Sequence, residues 1–288
     1  MLAIKHILFP IDFSERCCGA APFVEAMASR FGARITLMGV LQPFWYGAAD
    51  PSAMVAIDID ELQSQLQARL DASLVREFAH LPTERITEVG DPAEVITGYA
   101  HREGVDLIMM PTHGYGPFRN LLLGSVTAKV LHDAQCPVWT GAHMEEPPAR
   151  EHLACRNLLC AVDGTPKAAP LMEWSAQFAR DTGAALRLVH VTGGRTEAWP
   201  ERQINGEFDE MVRKEARETV ERVERTVAVE APLCIASGDV AGGIREEARR
   251  HAADLIVIGR GLLHETLGRL RTHAYGIIRQ APCPVISI

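Results

Sequence analysis

The sequence predicts an α/β protein built from two tandem domains, each a doubly wound parallel sheet of five strands with helices on both faces. The first observation is that short runs of branched apolar residues alternate with longer segments of helical apolar spacing. The second is that this alternation occurs twice along the chain. A stretch containing Glu145-Glu146-Pro147-Pro148 separates the two occurrences and is typical of a linker. We therefore predict domain 1 over residues 1–144 and domain 2 over residues 152–288.

The first half of domain 1 predicts two strands, over residues 4–11 and 35–41, each followed by a helix. Ser14 is a capping residue that begins a helix to residue 31, and Gly32 ends it. Pro22 lies inside that helix and predicts a kink or a late start. A second helix is predicted over residues 58–80, because apolar residues recur there at helical spacing, at Leu62, Leu66, Leu70, Leu74 and Phe78.

The second half of domain 1 continues the alternation, with strands predicted over residues 84–89, 106–110 and 137–140. Gly90-Asp91-Pro92 combines a capping residue with a proline in the first helical position and predicts a helix to residue 102. The apolar run that ends at Met110 is too short for a helix and is typical of a buried parallel strand. A helix over residues 126–133 follows, with Ser125 at its start.

The same order of elements returns after the linker, and the corresponding residues can be paired. Asp12 corresponds to Asp163 at an offset of 151 positions, and Cys136 corresponds to Cys283 at an offset of 147. The offset changes little between those two pairs, as expected for two copies of one domain. Further pairs support the repeat: Val40 and Val191, Gly90-Asp91 and Gly238-Asp239, and the apolar runs 107–110 and 255–258.

Composition excludes several classes of protein. The chain has 288 residues, of which 47% are hydrophobic and 23% are charged, which is ordinary for two globular domains. The formal net charge of -8 argues against a nucleic-acid-binding surface. No apolar stretch approaches the length of a membrane span, and the chain runs from Met1 into its first strand without a leader pattern. We expect a cytoplasmic protein that binds neither nucleic acid nor membrane.

The seven cysteines include no Cys-x-x-Cys pair and no spacing typical of a metal site, so we expect buried thiols and no metal. Two alternatives remain for the adjacent Cys17 and Cys18: they sense oxidants, or they are two small residues on a helix. The seven are Cys17, Cys18, Cys136, Cys155, Cys160, Cys234 and Cys283.

The loop after the predicted strand 106–110 has the features of an anion site. Gly114 is followed nine residues later by Gly124-Ser125, directly before a helix. Glycine permits close backbone approach, and the amides at a helix N-terminus attract a phosphate. The alternative is an ordinary loop with an N-cap. The sequence has no phosphate-loop lysine motif, no Gly-x-Gly-x-x-Gly after the first strand and no nucleophile elbow, so we predict no catalytic residue.

This loop, Thr112-His113-Gly114 through Gly124-Ser125, resembles the nucleotide loop of the universal stress protein family, whose pattern is Gly, two residues, Gly, nine residues, Gly, then Ser or Thr. Pro111 stands where the first glycine belongs and offers no amide hydrogen. Pro-x-Asp-Phe-Ser, Gly-Asp-Pro and Cys-Pro-Val also match. The chain resembles a tandem universal stress protein, which implies Rossmann-like domains of the adenine nucleotide alpha hydrolase type that pair through their last strands as an internal pseudo-dimer.

The resemblance also implies an ATP or ADP site in domain 1, with or without Mg²⁺. Asp12 would lie by the adenine, although a turn acceptor is the alternative for this residue, and Val40 would frame the base. Thr112 would lie by the ribose. The remaining matching positions are Ile11, Pro111 and, around the phosphates, Gly114, Gly124, Ser125, Val126 and Thr127. Lys129 and Arg119 are candidates to neutralise phosphate charge or are solvated, and His113 belongs to the loop's structure.

Domain 2 departs further from the pattern, because Arg271-Thr272 stand where domain 1 has Gly124-Ser125. Two alternatives follow: a degenerate copy kept for its packing surface, or a site reshaped for another anion, with Arg260, Arg269 and Arg271 adding positive charge. The candidate residues of this second site are Asp163, Val191, Gly259, Gly261 and Thr272.

The resemblance thus predicts a stress-response protein that binds adenine nucleotide and regulates a protein partner that the sequence does not identify. Two alternatives are a scaffold or chaperone-like protein that binds no nucleotide, and a slow ATPase. Residues 137–140 and 285–288 are expected to lie together, and two tandem chains are expected to pair as a homodimer.

Overall fold

The computed structural model describes residues 2–42, 58–112, 123–141, 153–193, 206–260 and 271–288. In the first copy, strands and helices alternate as the sequence predicts. Their bounds are β1 His6–Pro10, α1 Glu15–Phe31, β2 Arg34–Leu41, α2 Ile59–Asp71, β3 Thr83–Val89, α3 Pro92–Arg102, β4 Leu107–Pro111, α4 Ser125–Asp133 and β5 Val138–Gly141.

The second copy repeats this order, with a short 3-10 turn at Pro166–Ala168 before its first helix. Its elements are β6 Asn157–Ala161, α5 Ala169–Thr182, β7 Ala185–Gly193, α6 Gly206–Val227, β8 Leu233–Gly238, α7 Val240–Arg250, β9 Leu255–Ile258, α8 Arg271–Gln280 and β10 Val285–Ser287.

The strands form one ten-stranded sheet in the order β3-β2-β1-β4-β5-β10-β9-β6-β7-β8. Each copy contributes five parallel strands, and β5 pairs with β10 antiparallel at the centre. Trp139 lies opposite Ile286 in this central pair. The prediction that the last strands of the two copies lie together is confirmed, and the internal pseudo-dimer is therefore a continuous sheet.

Two hydrophobic cores cover the two faces of the sheet. Side chains alternate along β1, so that Ile7 and Phe9 belong to one core and Leu8 to the other. All three are fully buried, as expected for a parallel strand with helices on both faces. Trp139 and Phe178 lie in the first core and bring residues of both copies into one cluster. The two copies thus share their interior.

The predicted helix 58–80 is wrong beyond Asp71, where α2 ends. Residues 72–80 form turns, and Leu74 has a φ of 51°. The turns still bury Phe78, whose ring packs edge-on against Phe9 at 6.3 Å between centroids. Leu70 and Phe78 are therefore both buried without a continuous helix between them, whereas Leu62 is 39% exposed.

The start and end of α1 confirm the predicted caps, but the late start that Pro22 suggests is not observed. The Ser14 side chain accepts a hydrogen bond from the Cys17 amide, and Gly32 ends the helix with a φ of 61°. Pro22 lies inside α1. The capped first turn therefore forms despite the proline.

Candidate functional site

The predicted residues of domain 1 that the structure describes gather at the carboxyl ends of β1, β2 and β4. Strand β1 has β2 on one side and β4 on the other, so the order of the strands along the sheet reverses direction at β1. Such a switch point opens a crevice in which doubly wound sheets bind ligands. Ile11 and Asp12 follow β1, Val40 lies near the end of β2, and Thr112 follows β4.

Asp12 serves as a turn acceptor in this structure. Its Oδ1 atom accepts hydrogen bonds from the Ser14 amide at 2.9 Å and from the Ser14 hydroxyl at 2.6 Å. The Ser14 hydroxyl oxygen in turn accepts the Cys17 amide at 3.2 Å. This chain of contacts ties the end of β1 to the first turn of α1 and places the Asp12 carboxylate at the crevice.

Phe13 is a residue of this region that sequence reasoning missed. Its φ is 61°, in the left-handed region that few residues other than glycine adopt. The guanidinium carbon of Arg69 lies 4.0 Å from the centroid of the Phe13 ring, a stabilising cation–π contact. The signal was present in the repeat, because the corresponding residue of the second copy is Gly164, with a φ of 76°.

The N-terminus of α4 carries the candidate phosphate site. Gly124 is the N-cap residue and has no side chain to cap the helix. The first helical residues, Ser125, Val126 and Thr127, have amides that lack partners within a helix. The Gly124 amide itself donates to the Thr112 carbonyl at 2.9 Å. The Gly124 amide is therefore already bonded within the protein, and the amides of the three residues after it remain the candidates for binding an anion.

Pro111 ends β4 and pairs with Gly141 of β5. Its carbonyl oxygen accepts the hydroxyl of Thr127 at 3.2 Å. The Thr112 amide donates to the Gly141 carbonyl at 3.0 Å, so that the chain beyond Pro111 stays attached to the sheet. These contacts bring the end of β4 and the first turn of α4 together. The proline is thus accommodated in the strand end, where it supplies no amide donor.

Lys129 forms ion pairs with α3. Its Nζ atom lies 2.8 Å from Glu94 Oε1 and 3.2 Å from Asp91 Oδ1. The hydrogen bonds to Glu94 and Asp91 raise the pKa of Lys129. Its charge is therefore already balanced by two carboxylates. The other candidates of this loop, Gly114, His113 and Arg119, lie outside the described residues.

The second copy has a cavity of about 280 Å³ at the corresponding place. Three of the candidate residues, Asp163, Val191 and Gly259, line it, and Asp163 Oδ1 accepts the amide and the hydroxyl of Thr165, both at 2.9 Å. Thr272 lies in the first turn of α8. Gly261 and Arg269 lie outside the described residues. The rest of the cavity wall is largely apolar and includes Leu171, Ile244 and Ile277.

His190 is a second residue that sequence reasoning missed, and it corresponds to Gly39 of the first copy. Its Nδ1 atom lies 2.8 Å from the Val162 carbonyl, which only accepts, so Nδ1 carries the hydrogen and Nε2 of the neutral ring is an acceptor. His190 lines the cavity and also a neighbouring one of about 250 Å³. At Gly39, an added Cβ would lie 3.4 Å from Leu66, which occupies that space.

Arg260 lines the second-copy cavity, but its guanidinium is bound to the first copy. The Nη1 atom donates to the Ala134 carbonyl and Nη2 to the Cys136 carbonyl, both at 2.7 Å. Burial lowers the pKa of Arg260, and the two carbonyls compensate the desolvated charge. The expectation that Arg260 adds charge for a second anion therefore does not fit its contacts.

Cys17 is buried in α1 and Cys18 is exposed on it, so the expectation of buried thiols is wrong for Cys18. Burial raises the pKa of Cys17 well above the usual value, and burial also raises the pKa of Cys18. Both thiols are therefore protonated and weakly nucleophilic near neutral pH. Within the described ranges, no group of three or more His, Cys, Asp or Glu side chains is placed to hold a metal ion. No helix in the same ranges is long and apolar enough to cross a membrane.

The fold and the crevice define a tandem protein of the doubly wound α/β class. The model of the universal stress protein family matches residues 3–140 and again residues 155–288. The chain therefore belongs to the universal stress protein family and contains two of its domains, as the sequence motifs predict.

Individual relatives agree with this assignment. A universal stress protein of Thermus aquaticus is 33% identical over 135 residues, which cover 46% of this chain and 96% of that protein. One from Methanocaldococcus jannaschii is 29% identical over 149 residues, covering 46% and 92%. The crystal structure of a universal stress protein from Archaeoglobus fulgidus has a TM-score of 0.68 at 22% identity, covering 98% of this chain and 95% of the other. That last structure shares the fold across both copies.

Proposed function

We propose that the first copy binds ATP or ADP and that the chain acts in the cytoplasm as a nucleotide-dependent regulator of the stress response. The observation that carries the proposal is the N-terminus of α4, which has no capping side chain and faces the switch point of the sheet. Amides at such a helix end, together with the helix dipole, favour a bound phosphate.

The other residues of the crevice suit the rest of a nucleotide. Val40 is half-buried and packs against the core, which suits the face of an adenine ring. Asp12 is exposed and uses Oδ1 for the turn, which leaves Oδ2 for a donor on the ligand. Membership of the family supports this arrangement. The assignment of these residues to base, ribose and phosphate comes from their match to the family's nucleotide-binding pattern.

Binding, rather than turnover, is the proposed action. Nucleotide can shift the interaction with a protein partner only by as much as it prefers one state of the chain. The side chains of Thr127 and Lys129 have partners in the fold, so they orient α4 and are not proposed as acid or base. A slow ATPase remains the weaker proposal, and phosphate release lost in an Asp12 variant would support it.

One set of contacts favours a second candidate, a scaffold that binds no nucleotide. The Gly124 amide, the Thr127 hydroxyl and the Lys129 ammonium each have a partner within the protein. Pro111 also lacks an amide donor, and a hydrogen bond to a charged group is worth about 1.5–3 kcal/mol. Because these groups are not available to a ligand, phosphate binding would rely on the amides of Ser125, Val126 and Thr127.

The test is to denature freshly purified protein, identify released small molecules by mass spectrometry, and titrate emptied protein with ATP and ADP by calorimetry, with and without Mg²⁺. We expect about one adenine nucleotide per chain. Gly124→Arg should abolish binding, because it places a long side chain at the helix end. Gly98→Arg is the matched control, since Gly98 is exposed in α3 of the same copy and an added Cβ meets no atom within 4 Å.

Each outcome separates the candidates. Nucleotide bound by wild-type and Gly98→Arg but not by Gly124→Arg supports the proposed site. Two nucleotides per chain would place a working site in the second copy as well. No released nucleotide and no heat on titration would contradict the proposal and favour the scaffold.

A further inference from the structure

Two side chains of the second copy cross the central junction and hold α4 of the first copy. The Arg260 guanidinium donates to the carbonyls of Ala134 and Cys136, both at 2.7 Å. The Tyr275 hydroxyl donates to the Ala128 carbonyl at 3.1 Å. Ala128 lies in the first turn of α4, and Ala134 directly follows its last residue. The second copy therefore contacts both ends of this helix.

The residues that correspond to Arg260 and Tyr275 in the first copy cannot make the same contacts. Arg260 corresponds to Thr112 and Tyr275 corresponds to Ala128, at offsets of 148 and 147 positions. Threonine is too short for a forked contact of this kind, and alanine has no side-chain donor. The Thr112 hydroxyl instead donates to the Gly141 carbonyl at 3.3 Å within its own copy. At these two positions the first copy thus lacks the side chains that hold α4, although Arg30 Nε of the first copy donates to the Asp181 carbonyl of the second at 3.1 Å.

The chemistry of the grip suits a rigid support. A guanidinium that donates two hydrogen bonds in parallel fixes direction as well as distance. A cation near a helix C-terminus also interacts favourably with the helix dipole. Two further contacts, from Thr127 to Pro111 and from Lys129 to α3, hold the helix within the first copy. With Arg260 and Tyr275, α4 is held from the strand, from its neighbouring helix and from the other copy.

We infer that Arg260 and Tyr275 are positioning residues for phosphate binding at the N-terminus of α4. This inference rests on the proposed nucleotide site of the first copy. Neither residue is assigned a contact with the ligand. They act through the helix, whose amides must be correctly placed before a phosphate arrives. Arg260 stands at the position of Thr112, so this departure of the second copy from the family pattern then has a role: it supports the site of the first copy.

The experiment compares ATP with adenosine, which lacks phosphates and so does not use the α4 amides. Affinities are measured by calorimetry for wild-type, Arg260→Met, Tyr275→Phe and the double variant. We expect the double variant to bind ATP about three- to tenfold more weakly, since small misplacements of binding groups have large effects. Its affinity for adenosine should stay within about twofold, because the base and ribose depend on the residues after β1, β2 and β4 and not on the α4 amides.

Two controls separate positioning from general loss of stability. Arg245→Met removes an arginine of the second copy whose guanidinium donates to Gln280 of the same copy, so the ratio of ATP to adenosine affinity should not change. Arg260→Lys keeps the charge without the fork and should give an intermediate ratio. Tyr275→Phe removes one hydroxyl, so it keeps the test valid even where Arg260→Met does not fold.

An ATP-to-adenosine affinity ratio that is unchanged in Tyr275→Phe and in every folded Arg260 variant would overturn the inference and leave the proposed function standing. A wild-type chain that binds no ATP would remove both. Equal weakening of ATP and adenosine would also overturn it, because a general loosening of the first copy would then explain the result.

Discussion

The two copies connect their corresponding helix pairs by different means. In the first copy, Lys129 of α4 forms ion pairs with Asp91 and Glu94 at the start of α3. In the second copy, the residue that corresponds to Lys129 is Gly276, and an added Cβ there would lie only 3.3 Å from the Cβ atom of Ala241 in α7. Close packing replaces the ion pairs. The repeat thus preserves strands and caps, while the contacts between the helices around the candidate site diverge.

The turn after the first strand shows the opposite behaviour. Its left-handed backbone is kept in both copies, with a φ of 61° at Phe13 and 76° at Gly164. Only the second copy uses the residue that adopts this conformation without strain. In the first copy, the ring of Phe13 packs under Arg69, which offsets part of the cost. Here the backbone geometry is conserved between the copies and the side chain is not.

The largest expected effect comes from separating the copies at their junction. Trp139 is 1% exposed and lies opposite Ile286 in the central strand pair. Trp139→Ala should lower the free energy of unfolding by about 3–5 kcal/mol, because it leaves a large cavity shared by both copies. Urea denaturation followed by circular dichroism measures the change.

Ile286→Ala is the matched variant from the other copy, and it should cost less than Trp139→Ala, because it removes a smaller side chain. A loss below about 1 kcal/mol for Trp139→Ala would contradict the view that the two copies share one interior.

A smaller effect is expected at the left-handed turn. Gly164→Ala should lower the free energy of unfolding by about 1–2 kcal/mol through backbone strain alone, since the nearest atom to the added Cβ is 3.5 Å away. The measurement is again urea denaturation.

Gly98→Ala is the control for this variant and should raise the free energy of unfolding by about 0.5–1 kcal/mol, because Gly98 lies in a helix with open space around it. Equal effects of the two substitutions would show that the φ of 76° does not matter for stability.

The smallest effect concerns pH and Asp91, which caps α3 by accepting the amides of Ala93 and Glu94. The hydrogen bond from the Glu94 amide is the largest of the causes that lower the pKa of Asp91, and the Lys129 contact adds to it. A carboxyl group with a lowered pKa stabilises the fold above its unfolded value, about 3.9, and loses this contribution as the pH falls through the folded pKa.

The difference in unfolding free energy between wild-type and Asp91→Asn should therefore be larger at pH 7 than at pH 3. Denaturation at the two pH values measures it. A difference that stays constant, or grows toward pH 3, would contradict the assignment of Asp91 as an ionised cap.

Much of the fold could be predicted from the sequence because its signals are local. Ser14, Gly32 and Asp91 act on amides or carbonyls within a few positions, so their roles follow from their neighbours in the chain. The repeat was also predictable, since apolar periodicity and corresponding motifs recur at a nearly constant offset. The pairing of the last strands followed from the family resemblance. The end of α2 was not predictable, because the buried position of Phe78 depends on its contact with Phe9.

The tandem fold and the caps followed from local patterns in the sequence, and the candidate site residues followed from the family resemblance. Only the tertiary structure decided which of their groups already have partners: the Gly124 amide with Thr112, Lys129 with α3, and Arg260 with the other copy. The difference arises from how far apart along the chain the interacting residues lie. Capping and periodicity act within one or two turns, whereas Arg260 and Ala134 are 126 positions apart and meet only because β5 and β10 join the two copies.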